Sequence, residues 1–166
     1  FVSSDRMPAL KQALENLVGE GDKAVEAVLE KFTGDAGAAT LPPHRTMIDH
    51  HFGADSVEKI VESRGKDGSE WAQKTAAALG KLSPTSMKIT FRQIRLGGEM
   101  SFEDIMTMEY RMSQGCMNGH DFYEGVRAML IDKDNAPKWQ PANLAAVGEE
   151  IVARHFAPVS NDLFFK

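Results

Sequence analysis

The sequence holds 166 residues, about one ordinary domain, and its 42% apolar and 26% charged content excludes a disordered tail. A net charge of −5 supplies no basic footprint for nucleic acid, and the single cysteine, Cys116, excludes an internal disulfide framework and suits a reducing compartment. No apolar run approaches the ~20 residues needed to cross a bilayer.

The opening Phe1-Val2-Ser3-Ser4 has no initiator Met, no charged n-region and no signal-like apolar core. It reads as a piece that begins in mid-protein and is not secreted. Helical periodicity then runs almost throughout. Met7, Leu10, Leu14 and Leu17 form an apolar stripe, with Pro8 in the first turn, where its missing N–H costs little. Gly19 and Gly21 break this helix, and Asp22 is placed to cap a second, which carries Val25, Val28, Leu29 and Phe32 at helical spacing. Residues 1–33 thus read as a helical hairpin. Residues 34–43, rich in Gly and Ala and closed by Pro42-Pro43, read as a loop.

Residues 44–166 read as a further helical region. A short helix is expected from His44 to Phe52. Asp55 with Glu58 has capping-box spacing ahead of Val57, Ile60 and Val61. Ser69 opens a helix carrying Trp71, Ala72, Leu79 and Leu82. Ser83-Pro84 is an N-cap followed by proline at the first helical position; that helix should stop at Gly97-Gly98. Ser101 with Asp104 caps a long helix that Gly119 breaks, and Asp121 with Glu124 caps the next. After the Pro137-Lys138-Trp139-Gln140-Pro141 turn, one amphipathic helix is expected from Leu144 to Phe156. No segment alternates as a strand, so the fold is expected to be all-α.

The residues give little independent chemistry. His44, His50 and His51 with Asp49 suggest a metal cluster only superficially, because adjacent helical residues point ~100° apart. No i, i+4 His pair or Cys cluster supports zinc, so they are expected on a partly exposed polar face, with no metal bound. Cys116 lacks a recognisable base and orienting group and reads as a small apolar residue. Gly97-Gly98 follows a helix and is no phosphate loop. The charges at Glu109, Arg111, Asp121, Glu124 and Arg127 read as caps and intrahelical pairs.

Four blocks say more. They are Ser83-Pro84-Thr85-Ser86-Met87-Lys88-Ile89-Thr90, Met108 to Gln114, His120 to Ala128, and Leu130-Ile131-Asp132-Lys133-Asp134 with Pro137-Lys138-Trp139. In order and spacing they resemble the 3-hydroxyisobutyryl-CoA hydrolases, a branch of the enoyl-CoA hydratase (crotonase) superfamily. The likeness is closest over 83–139 and looser before it. The Glu-Gly-x-x-Ala element at Glu124 to Ala128 is similar to one shared by the whole superfamily.

The resemblance implies a multi-helix C-terminal region without the β/α spiral core. It implies a thioester hydrolysis in valine breakdown, with acyl-CoA as substrate and no cofactor. The oxyanion hole and acidic groups would lie upstream, so no catalytic residue is assigned and the isolated piece is expected to be inactive. The partners implied are its own crotonase core and, in a homo-oligomer, further copies, with no nucleic acid and no membrane. The compartment would be cytoplasmic in a bacterial source and mitochondrial in a eukaryotic one. Hydratases, isomerases or a non-catalytic assembly module are the alternatives. By likeness to crotonase relatives, Met129 stands where an apolar side chain nears the acyl-CoA. Lys133, offset by one residue from the hydratase pattern, stands where a lysine nears the CoA phosphates. A cation in the last helical turn, complementing the dipole, is the competing role for Lys133. The amphipathic helices, Leu144 to Phe156 among them, are expected to leave an apolar surface exposed.

Overall fold

The computed structural model describes residues 1–17, 19 and 21–165. Among them there are nine α-helices, several short 3₁₀ or π turns, and no strand. The chain divides into two compact units, residues 1–46 and 47–166.

In the first unit, α1 (Met7–Glu15) carries its proline in the first turn and α2 (Asp22–Phe32) packs against it. Leu10 is the buried side chain of α1. The Arg6 guanidinium donates to the carbonyls of Lys31 (2.8 Å) and Phe32 (3.1 Å), satisfying orphan acceptors at the end of α2. Asp22 is the first helical residue; Gly21 holds the cap position and no side chain caps the helix.

The second unit holds most of α3 (Arg45–Phe52), then α4 (Val57–Lys66), α5 (Glu70–Leu79), α6 (Pro84–Gly97), α7 (Phe102–Met117), α8 (His120–Val126) and α9 (Glu149–Ala153). Local capping explains most of these starts. The hydroxyls of Ser69, Ser83 and Ser101 accept from the N–H groups of Ala72, Ser86 and Asp104. Ser101 also donates to the Asp104 carboxylate (2.8 Å). At α4 the cap is Ser56, not Asp55: Ser56 accepts from Lys59 N–H (3.2 Å), while Asp55 pairs with the Lys59 ammonium (2.7 Å).

Two expectations need larger corrections. Asp121 does not cap α8. Gly119 is the cap residue, the helix starts at His120, and the Asp121 carboxylate accepts from Ser83 Oγ (2.5 Å) and Gln140 N–H (2.8 Å). Nor is Leu144 to Phe156 one helix. A 3₁₀ turn at Leu144–Ala146, capped by Asn143, ends at Val147, and α9 begins only after Gly148. The break lets Val147 and Val152 both turn inward onto Ile89, where they form the core with Met112, Ile151 and Phe156. Burial of those side chains outweighs the continuous helix that periodicity alone suggests.

Side-chain ties fix α6 within this unit. The Lys88 ammonium donates to Val147 O (2.9 Å) and pairs with Glu58 (2.6 Å), joining α6 to α4 and to the segment before α9. Arg92 pairs with Glu149, and Arg95 donates to Ala54 O (2.7 Å). Arg111 of α7 makes a two-pronged contact with Asp162. No helix among the described residues is long and apolar enough to cross a membrane.

Candidate functional site

The segment from α8 to Pro141 is built around one guanidinium. α8 passes directly into a π turn at Arg127–Ile131, where Asp132 N–H reaches back five residues to Arg127 O (2.8 Å). Arg127 donates to both Glu124 oxygens (2.8 and 2.9 Å), to Asp132 (2.7 Å) and to Asp134 (2.7 Å). Glu124 also accepts from Lys138 N–H (2.7 Å), so the knot holds the helix, its exit and the following turn together. Charge-assisted bonds of this type are the strong ones. The Arg127 guanidinium, and then Lys138 N–H, lower the Glu124 carboxyl to about 2. Arg127 likewise lowers Asp134, with help from Ala136 N–H.

Beyond the knot, Trp139 packs over Gly125, where an added Cβ would come 3.5 Å from the indole, and its Nε1–H donates to Lys81 O (2.9 Å). A Cβ at Gly125 would therefore only touch the Trp139 ring, at ordinary van der Waals distance. Ala128, in the same Glu-Gly-x-x-Ala element, is fully buried.

Met129 lies in the π turn and is 54% exposed. Lys133 is also exposed, and its ammonium has no partner among the described residues. It is not in the last helical turn. The helical segment ends at Ile131, Asp132 caps it, and Lys133 follows in the left-handed region at φ 56°. Asn135, at φ 54°, completes the turn, donating through its N–H to Ala128 O (3.1 Å) and through Nδ2 to Lys133 O (3.1 Å). A lysine at positive φ is strained, and the surrounding bonds hold it there. Met129, Leu130 and Ile131 are each more than half exposed, with Phe122 and Tyr123 exposed on α8. In the stretch from Leu144 to Phe156, by contrast, Leu144, Ile151 and Phe156 are half-buried and Val147 and Val152 buried, so the apolar surface expected there is not exposed.

A second feature is an open, largely apolar groove of about 920 Å³, lined by Ile60, Met87, Phe91, Cys116, Trp139 and Ile151 among others. Desolvation in this setting raises the Cys116 thiol above its ordinary range, which disfavours the nucleophilic thiolate.

The histidines do not form a shared centre. His51 is buried, not on a partly exposed face: its ring nitrogens meet Ser63 Oγ (2.7 Å) and Asp67 (2.8 Å), clasping α3 to the end of α4. Among the described residues no group of three or more His, Cys, Asp or Glu is placed to hold a metal ion. Sequence reasoning missed the full Arg127 knot. Glu124 and Arg127 have helical pair spacing, but Asp132 and Asp134 join from beyond the helix end.

The family model described as enoyl-CoA hydratase/isomerase matches residues 1–156, and the chain belongs to that family. It is 46% identical over 162 residues to the mitochondrial 3-hydroxyisobutyryl-CoA hydrolase of Danio rerio, covering 95% of this chain and 42% of that protein. The Homo sapiens mitochondrial 3-hydroxyisobutyryl-CoA hydrolase is 42% identical over 171 residues, covering 99% of this chain and 44% of that protein. Among solved structures, a carnitinyl-CoA dehydratase from Mycobacterium thermoresistibile superposes with a TM-score of 0.80 at 31% identity, covering 99% of this chain and 46% of that one. An enoyl-CoA hydratase from Rhodobacter sphaeroides 2.4.1 gives a TM-score of 0.77 at 29% identity, again covering 99% and 46%. The chain thus spans less than half the length of the relatives it matches.

Proposed function

We propose that this chain is the C-terminal helical part of an acyl-CoA thioester hydrolase acting on 3-hydroxyisobutyryl-CoA in valine breakdown. The observation that carries the reading is identity of 42 to 46% across nearly the whole chain to proteins named as that hydrolase. In this reading the chain packs on a crotonase core and lends the acyl-CoA two contacts. Met129 offers an exposed apolar side chain near the acyl-CoA, and Lys133 an unpaired ammonium for a CoA phosphate. The water-activating groups and the oxyanion donors belong to the part of the relatives that this chain does not span. No side chain here is assigned to them. The exposed strip from Phe122 to Ile131 is the surface for the core or for a second copy. The compartment is mitochondrial for a eukaryotic source, as in the named relatives, and cytoplasmic for a bacterial one.

The hydratase or dehydratase reading draws on the two superposed enzymes, a dehydratase and a hydratase, at 31 and 29% identity. The higher identity to hydrolases favours hydrolysis. Assaying the full-length protein with 3-hydroxyisobutyryl-CoA and with an enoyl-CoA separates the two: thiol release supports hydrolysis, and hydration of the double bond without thiol release overturns it. The chain alone should release no thiol. Lys133→Ala in the full-length protein should raise KM by about three- to fivefold, the scale of one exposed charge contact. The same change should have little effect with the 3′-dephospho substrate. An equal loss with both substrates would remove Lys133 from the CoA site.

A further inference from the structure

Lys133 stands between two aspartates, Asp132 and Asp134. A flexible Asp-Lys-Asp segment would let either carboxylate fold onto the ammonium and compete with an incoming phosphate. Here both carboxylates are engaged elsewhere, each 2.7 Å from Nη1 of Arg127. The left-handed backbone at Lys133 separates the lysine from the bonding pattern of its neighbours. Its ammonium is the one group of the three without a partner among the described residues.

We propose that Arg127 is a positioning residue for phosphate recognition: by taking up Asp132 and Asp134 it keeps the Lys133 ammonium free for a CoA phosphate. The inference rests on the reading that Lys133 meets that phosphate. Arg127 itself touches no ligand. Its guanidinium is suited to the task because five donors in a planar fork make the two-pronged bond to Glu124 and still reach Asp132 and Asp134, four bonds where a lysine has three donors and no fork. Glu124 completes the device by fixing the guanidinium from the helix side and Lys138 N–H from the other.

The test uses the full-length protein at low ionic strength, where exposed charges are least screened. The readout is the preference for 3-hydroxyisobutyryl-CoA over its 3′-dephospho form, taken as the ratio of kcat/KM values. Arg127→Gln should lower this preference by about three- to fivefold, the scale of one exposed ion pair gained by Lys133. Adding Asp132→Asn and Asp134→Asn to Arg127→Gln should restore it to within about twofold, because no carboxylate remains to capture the lysine. Adding Lys133→Ala to Arg127→Gln should produce no further loss. A purely structural Arg127 would give no rescue by the two asparagines, and that result overturns the proposal, as does an unchanged preference in Arg127→Gln. If Lys133→Ala alone leaves the preference unchanged, the reading of Lys133 fails and the proposal falls with it; a loss there with no effect of Arg127→Gln overturns the proposal alone. Should Arg127→Gln not fold, Asp132→Asn with Asp134→Asn in the presence of Arg127 decides. Carboxylates already taken up predict a preference within about twofold of the parent, and a rise beyond about fivefold shows that they screen Lys133 in the native protein.

Discussion

Two arginines in the second unit are treated in opposite ways. Arg64 on α4 is fully buried, and none of its three guanidinium nitrogens has a hydrogen-bond partner among the described residues. It lies over the ring of Phe52, 3.8 Å from the centroid, with Trp71 4.9 Å away. Arg127 keeps 31% of its side chain exposed and meets three carboxylates. Desolvation lowers Arg64 below the usual guanidinium range, whereas its carboxylate partners raise Arg127. The first arginine is tolerated by its aromatic neighbours. The second organises its neighbours. A charge shapes a site when it stays near water and has anions to gather, and it is a liability to the core when it has neither.

The sharpest test of the contrast is Arg64→Met. Two cation–π contacts offset part of the desolvation cost, each worth up to about 2 kcal/mol when buried. The unmet hydrogen bonds of a buried charge exceed that. Arg64→Met keeps the length of the side chain and removes the charge, so it should stabilise the protein by about 1–3 kcal/mol in urea unfolding. A loss of stability would mean that Arg64 is better satisfied than its aromatic setting provides.

Ser83→Ala probes the opposite case, a fully used polar group. Ser83 Oγ both caps α6 and donates to Asp121, 38 residues on. Its removal should cost about 1–2 kcal/mol, the upper part of the range for a lost N-cap. It should also loosen the Trp139-Gln140 turn, since Asp121 holds Gln140 N–H. Hydrogen exchange at Gln140 reads this second effect. Lost stability with unchanged Gln140 protection would separate the cap from the turn.

What the sequence discloses follows the same line between local and distant partners. The caps at Ser69, Ser83 and Ser101 are legible because donor and acceptor lie three residues apart. Asp121 has the composition of a cap, but Ser83 and Gln140 claim its carboxylate from outside the helix. Periodicity carries Leu144 to Phe156 as one helix, because apolar spacing alone does not register that Val147 and Val152 both reach Ile89 only if the chain breaks at Gly148. The π turn at Arg127–Ile131 contains no glycine or proline that would mark it in the sequence. Met129 and Lys133 are reached through family resemblance. The Arg127 knot is half legible: Glu124 sits at helical pair spacing, while Asp132 and Asp134 fold back from beyond the helix end.

The knot also sets a pH response. Glu124 has an ordinary value of 4.5 and is held at about 2, chiefly by the Arg127 guanidinium and then by Lys138 N–H. The folded state therefore favours the carboxylate more than the unfolded chain does. The resulting stabilisation is fully present above the unfolded value near 4.5 and is lost as pH falls through about 2. Asp134 shifts in the same direction and extends the acid response of the same turn. Carboxyl-detected NMR titration should place the Glu124 midpoint near 2 in the parent. In Arg127→Gln it should rise toward 4.5 without reaching it, because Lys138 N–H still favours the charged form. Arg64 has no carboxylate in this network, so Arg64→Met should leave the Glu124 midpoint where it is. A Glu124 midpoint near its ordinary value in the parent would mean that the knot is open in solution. Asp132 and Asp134 would then be free to pair with Lys133, and the contrast between the two arginines would reduce to burial alone.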